Sequence, residues 1–384
     1  MKVLAVGGGS GGHVTPVVAV CREIVRAVPD AEVSFWCDRK FGPSAKKIFQ
    51  AYDPSIPIDM IYSGKLRRYH GLGKFHMLRP SILFPNIIDL VKVSGGFIQS
   101  VFKLIKLRPD VIFMKGGYVC LPVGYAARLL RIPMVIHDSD AHPGLTNRLL
   151  APFAVKIGTG APLKYYNYPK DKAVYVGIPI AEDFKAYSKE QQKAFKHELG
   201  FDRDQPLVVV TGGGLGATRI NEAVVRDRTQ LLQCTSVFLI SGQGSYDDIA
   251  SKTRPMKGWR LEPFISENMA MVLAAADIVV ARAGATTLLE LAALNKPTII
   301  IPNGMLTAGH QLKNAKVYQD NFAAIIMKED ELASQGSLAR KIKDLLSAPK
   351  ILSELGENFG KFARPDAAKE MAELVLSAAR GARN

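Results

Sequence analysis

Short runs of aliphatic and β-branched residues alternate with helix-length amphipathic segments along nearly all of the 384 residues. That alternation predicts parallel strands joined by crossover helices, an α/β fold. The strand candidates are 3–6, 33–37, 111–114 and 134–137 in the first half, and 207–211, 237–240, 278–281 and 298–301 in the second. Each half opens with the same device, an apolar strand that empties into glycines and then a helix: LAVGGGSGGHVTP at 4–16 and VVVTGGGLGATRIN at 208–221. Two doubly wound domains are therefore expected, one spanning 1–178 and the other 179–384, a range with an alanine-rich helix near its end. Ligands of open α/β sheets lie beyond the carboxyl ends of the strands, so a cleft between two such domains is expected to hold two substrates.

Composition narrows the function. No apolar run reaches the roughly 18 residues of a membrane span, and the apolar start at 1–6 is too short for a signal peptide, so a cytoplasmic protein is expected. Cys21, Cys37, Cys120 and Cys234 show no CxxC pairing, which fits reduced thiols better than disulfides or zinc. The formal charge of +15 calls for an anionic partner. Between Ile61 and Pro109 nine Lys or Arg face a single acidic residue, Asp89, and they are interleaved with apolar residues, above all in GKLRRYHGLGKFHMLRPSILFP at 64–85. With no RNA-binding aromatic signature or zinc-finger spacing, this pattern favours an anionic membrane surface over nucleic acid. The segment 87–106, with apolar residues Ile87, Val91, Phe97, Ile98, Val101, Leu104 and Ile105 at helical spacing, reads instead as a core-facing crossover helix.

The first glycine loop satisfies G-x-G-x-x-G, and Asp38 ends the next strand where a ribose-binding acid would stand. A nicotinamide enzyme is thus one reading. Against it, the loop has extra glycines, His13 and Pro16 follow it, and a second glycine loop lies in the other half. More generally, such loops let the backbone approach a diphosphate while the following helix offers unpaired N–H groups and a positive dipole end.

With both loops placed, the chain resembles the MurG family, enzymes that add N-acetylglucosamine to undecaprenyl-pyrophosphoryl-MurNAc-pentapeptide (lipid I) to give lipid II. The resemblance rests on GGGSGGHVTP at 7–16, KGGYVCLP at 115–122, HDSDAHPGLTNRLLA at 137–151, VGIPI at 176–180, TGGGLGATRIN at 211–221, ARAGATTLLELAALNKPTIIIP at 281–302 and HQLKNA at 310–315. It implies the two-domain GT-B fold, inverting transfer from UDP-N-acetylglucosamine, peripheral attachment to the cytoplasmic face of the membrane, and no cofactor or metal. Consistent with the last point, no DxD-type acidic pair stands at a strand end.

The resemblance also implies site residues. His13 and Glu290 are the catalytic candidates: His13 to take the proton of the acceptor hydroxyl, Glu290 to accept both ribose hydroxyls of the donor. Gly9, Gly116, Gly117, Tyr118 and His137 join His13 at the acceptor. The donor set is Ser10, Gly11, Gly12, Asp140, Gly213, Gly214, Ile265, Arg282, Gly284, Ala285, Thr286, Thr287, Leu288, Leu289, Glu290, His310 and Gln311. In this reading Phe264-Ile265 is the stretch that takes the uracil, through backbone groups of Ile265. His13 read as a helix-capping or phosphate-binding residue, and His137 as a structural one, remain alternatives.

Several positions depart from the family pattern. Asp140 stands where the family usually has Asn, Ile178 and Ala181 replace an Asn and an Arg, and Gly214-Leu215 replaces a Ser-Gln pair. The extra carboxylate at Asp140 is unfavourable beside an anionic substrate unless a cation compensates. The rival readings are a GT-B transferase acting on another lipid such as diacylglycerol, and a sugar-nucleotide epimerase of the same fold.

Overall fold

A computed structural model describes residues 1–9, 13–65, 80–140, 143–213, 216–265, 267–304 and 310–381, apart from the side chains of 51, 80, 81 and 310. The chain divides into two compact units, Met1–Ala181 with Arg364–Asn384, and Glu182–Ala363.

In the first unit seven strands form one sheet: β1 (Lys2–Gly7), β2 (Glu32–Asp38), β3 (Ile58–Ile61), β4 (Val111–Gly116), β5 (Met134–Asp138), β6 (Lys156–Thr159) and β7 (Ala173–Tyr175). Their order is β3-β2-β1-β4-β5-β6-β7, every pairing parallel. The second unit holds β8 (Leu207–Thr211), β9 (Ser236–Ile240), β10 (Trp259–Glu262), β11 (Ile278–Ala281), β12 (Thr298–Ile300) and β13 (Ile325–Ile326), in the order β10-β9-β8-β11-β12-β13, again parallel. The winding direction reverses between β1 and β4 and between β8 and β11, and both glycine loops leave the sheets at those switch points.

Strands buried on both faces read as continuous apolar runs. Val3 and Ala5 enter one core with Val111 and Phe113, while Leu4 and Val6 enter the opposite one with Ile112 and Met114. In the second unit Leu207 and Val209 face one core, Val208 and Val210 the other. The register of β1 on β4 slips between Val6 and Gly7, which sets Gly7 opposite Gly116. That irregularity brings the two glycine turns of the first unit side by side.

Two expectations are corrected. The helix Ala367–Gly381 belongs to the first unit, although it was expected within 179–384. Its apolar face, Met371, Ala372, Val375, Leu376 and Ala379, is buried with Val17, Val20, Cys21 and Ile24 of the helix Thr15–Ala27. Periodicity makes a face but does not say what the face meets. The helix Pro80–Leu107 is not wholly core-facing either. Leu104 is buried and Phe97 and Val101 pack beside it, but Ile87, Val91, Ile98 and Ile105 are exposed, as are Phe84, Ile88, Leu90 and Phe102. An apolar helix with one partner can bury only one stripe. Among the described residues no helix is long and apolar enough to cross a membrane.

Candidate active site

The turn after β1 is built around a buried carboxylate. Asp38, at the end of β2, accepts from Gly9 N at 2.6 Å, from Phe41 N at 2.9 Å and from the Tyr118 hydroxyl at 2.8 Å. Both oxygens are engaged within the protein and the residue is 1% exposed, so Asp38 does not serve as a ribose acceptor. It fastens the β1 turn to the GGY turn. A Cβ on Gly8 would collide with this carboxylate, and one on Gly117 would press on the Gly8 carbonyl. Gly9, Gly116 and Gly117 have φ of 83°, 107° and 87°, a region that side-chain-bearing residues rarely enter.

His13 lies half-buried just before the helix Thr15–Ala27. A Cβ added to Gly116 would stand 3.7 Å from His13 Cε1 and 3.5 Å from Asn147 Nδ2, so His13, Gly116 and Asn147 meet at one point. Among the described residues the imidazole Nδ1 has no hydrogen-bond partner. Burial, reinforced by the charge of Lys115, lowers its pKa to about 4, so at neutral pH the ring is an unprotonated base. Tyr118, fixed through its hydroxyl to Asp38, lies against Gly9, whose Cβ would meet its ring at 3.1 Å.

His137 behaves differently from expectation. It is fully enclosed, its Nε2 is 2.7 Å from the Gly177 carbonyl oxygen, and burial holds its pKa well below the usual value. The ring donates to that carbonyl and ties the end of β5 to the 176–180 segment; with no exposed surface it does not contact an acceptor. The next residue, Asp138, is buried and accepts from the Tyr168 hydroxyl at 2.8 Å and Gly144 N at 3.2 Å; burial raises its pKa to about 6. Ile178, at one departure from the family pattern, is buried and packs near Gly160.

In the second unit the corresponding turn offers main-chain groups. Gly213, at φ 76°, donates to Thr211 Oγ1 at 3.1 Å, and a Cβ there would meet nothing within 4 Å. Asn221 Nδ2 holds the Ser241 carbonyl at 2.8 Å behind it. After β11, Gly284 leads into the helix Ala285–Ala293, whose first amides have no intrahelical acceptor. Leu288 and Leu289 do not belong with Ala285, Thr286 and Thr287 as ligand contacts. Both side chains are buried, and Leu288 N already donates to Gly284 O at 3.0 Å. Arg282 is 9% exposed and its guanidinium is spent on the Ile301 carbonyl and Glu329, so it braces the turn from within. Glu290 is half-buried one turn into the helix; burial, with Asp183 adding to it, raises its pKa to about 7. Gln311 accepts from Asn303 N at 2.8 Å. Ile265 is partly buried against the core beside an exposed Phe264.

Ser10, Gly11, Gly12 and Gly214 lie outside the described residues, as do the side chain of His310 and most of the basic segment 64–85. Asp140 is described, and its carbonyl accepts from Tyr166 at 2.8 Å. The sequence reading missed Asn147 and Asn314, which hold the His137 and Ala283 carbonyls at 3.1 Å each. It also missed Lys115, quoted only as the first letter of a motif. A lone cation closing the apolar strand VIFMK was the available signal.

Residues 3–159 match the glycosyltransferase family 28 N-terminal domain and residues 207–371 the family 28 C-terminal domain. A relative in Caldanaerobacter subterraneus subsp. tengcongensis is 34% identical over 98% of this chain and 99% of its own length. It is named UDP-N-acetylglucosamine--N-acetylmuramyl-(pentapeptide) pyrophosphoryl-undecaprenol N-acetylglucosamine transferase. Among solved structures, Acinetobacter baumannii MurG superposes with a TM-score of 0.69 at 23% identity, covering 98% of this chain and 99% of that one. A UDP-GlcNAc 2-epimerase from Neisseria meningitidis, bound to UDP-GlcNAc, does so at 0.65 and 13% identity, covering 98% and 100%.

Proposed function

The chain belongs to the MurG family within glycosyltransferase family 28, and from that premise we propose that it transfers N-acetylglucosamine from UDP-N-acetylglucosamine to lipid I, forming lipid II. Its fold is the α/β GT-B fold. The observation that carries the reading is the end-to-end match to a relative named for that reaction. The epimerase likeness is one of fold, at 13% identity.

The first unit takes the acceptor. His13, neutral at pH 7, removes the proton of the attacking hydroxyl, while Gly9, Gly116, Gly117 and Tyr118 shape the surface the acceptor meets. The second unit takes the donor. Amides at 284–287 face the diphosphate beside the open turn at Gly213, Glu290 accepts from the ribose hydroxyls, and Ile265 and Gln311 approach the base and the sugar. Attack on C1 opposite UDP inverts the anomeric centre, and prearranged N–H dipoles stabilise the departing diphosphate. The exposed apolar stripe of Pro80–Leu107, next to the basic segment, supports peripheral docking on the cytoplasmic face of an anionic membrane.

Incubation with radiolabelled UDP-N-acetylglucosamine and lipid I, followed by extraction, tests the proposal. Label is expected in the lipid phase and sharply less of it with His13→Ala or Glu290→Ala; absence of transfer by the unmodified chain overturns it.

A further inference from the structure

Asp138 ends β5 and Asp140 follows two residues later, on the sheet end where a phosphate-bearing substrate is to bind. Two carboxylates there repel such a ligand unless a cation offsets them. That cation is on the neighbouring strand. Lys115, in β4, is 1% exposed, and its Nζ donates to the hydroxyl of Ser139, the residue between the two aspartates. Burial lowers its pKa to about 8, opposed by the charges of Asp138 and then Asp140, so the ammonium persists at neutral pH. A buried lysine whose bonded partner is a neutral hydroxyl is costly unless nearby anions compensate it.

Resting on the transferase reading above, we propose that Lys115 is a positioning residue coupled to Asp140: its buried ammonium offsets the carboxylate and, through Ser139, holds the 138–140 loop so that this face accepts a phosphate-bearing substrate. The phosphates come from two sources, the donor's UDP and the acceptor's pyrophosphate. Lys115 thereby makes an aspartate workable where the family usually has Asn.

Four proteins test this: the unmodified chain, Lys115→Met, Asp140→Asn and the double variant. UDP-N-acetylglucosamine and lipid I are titrated in separate arms, and melting temperatures are recorded alongside. Lys115→Met is expected to raise the KM of one substrate on the order of tenfold or more, with a smaller change in kcat. The arm that moves identifies which phosphate faces the loop. Adding Asp140→Asn is expected to return KM to within about threefold of the unmodified chain. That rescue separates charge compensation from packing, because Asp140→Asn refills no space left by the lysine. A double variant as impaired as Lys115→Met, or a Lys115→Met enzyme with unaltered KM in both arms, overturns the inference. If the unmodified chain transfers nothing, the transferase reading fails on its own. The coupling is then read from melting temperature, where Asp140→Asn must recover the loss caused by Lys115→Met, and no recovery overturns the inference.

Discussion

The turn after β1 and the turn after β8 are the same device in sequence, yet they are held in different ways. The first is clamped by a buried carboxylate: Asp38 bonds Gly9 N and the Tyr118 hydroxyl, and His13, Lys115, Asp138 and His137 crowd around it. Among the described residues the second has no such cluster. Gly213 leans on a threonine hydroxyl, Asn221 holds the carbonyl behind it, and the charged Arg282 is already paired with Glu329. A strand–glycine–helix turn therefore fixes only where a backbone comes close to a ligand. The polar groups packed around it determine whether the turn moves protons or offers amides to an anion.

The largest test of that contrast is His13→Ala, expected to lower kcat by ~10²–10⁴-fold while leaving donor binding nearly intact, since a positioned base contributes about that much. Single-turnover kinetics with a UDP-binding titration separate the two effects. Glu290→Gln should act on the other side, weakening UDP by roughly tenfold to a hundredfold, the value of hydrogen bonds to a charged acceptor. Because the Glu290 carboxyl titrates near 7, UDP binding by the unmodified chain should strengthen as pH rises through about 7, and calorimetry with Glu290→Gln should show no such inflection.

Gly8→Ala against Gly213→Ala compares the two turns directly. Alanine at Gly8 runs into the Asp38 carboxylate and should cost about 1–3 kcal/mol. Alanine at Gly213 has room and bears only the left-handed strain of about 1–2 kcal/mol. Thermal denaturation measures both, and transfer activity should fall further for Gly8→Ala.

The smallest effect is in the pH dependence of stability. The His13 pKa is lowered on folding, so its contribution is present above about 6.5 and is lost as pH falls toward about 4. The Glu290 pKa is raised, so its contribution is present below about 4.5 and is lost as pH rises through about 7. Melting curves of His13→Gln and Glu290→Gln should flatten those windows with opposite signs.

Much of this was legible in the chain. All eight expected strands are present, because a parallel strand buried on both faces is an uninterrupted apolar run wherever it packs. Of the expected contact residues, Gly9, Gly116, Gly117, Gly213 and Gly284 lie in turns at strand ends and His13 lies just before a helix, positions that local sequence sets. His137, Leu288 and Leu289 were misread because a motif records proximity to a site without saying which way a side chain turns. The helix Pro80–Leu107 was misread because helical spacing of apolar residues cannot tell a stripe that finds a partner from one left exposed.

By itself, the sequence determined the strands, the two glycine turns, the split into two α/β units and the family, all consequences of local propensity and short-range pattern. Only the tertiary structure decided that Ala367–Gly381 packs on the first unit, that Asp38 is a clamp, and that Lys115 lies beside Asp138 and Asp140. Those facts depend on contacts between residues far apart in the chain, and burial and charge act through space irrespective of sequence order.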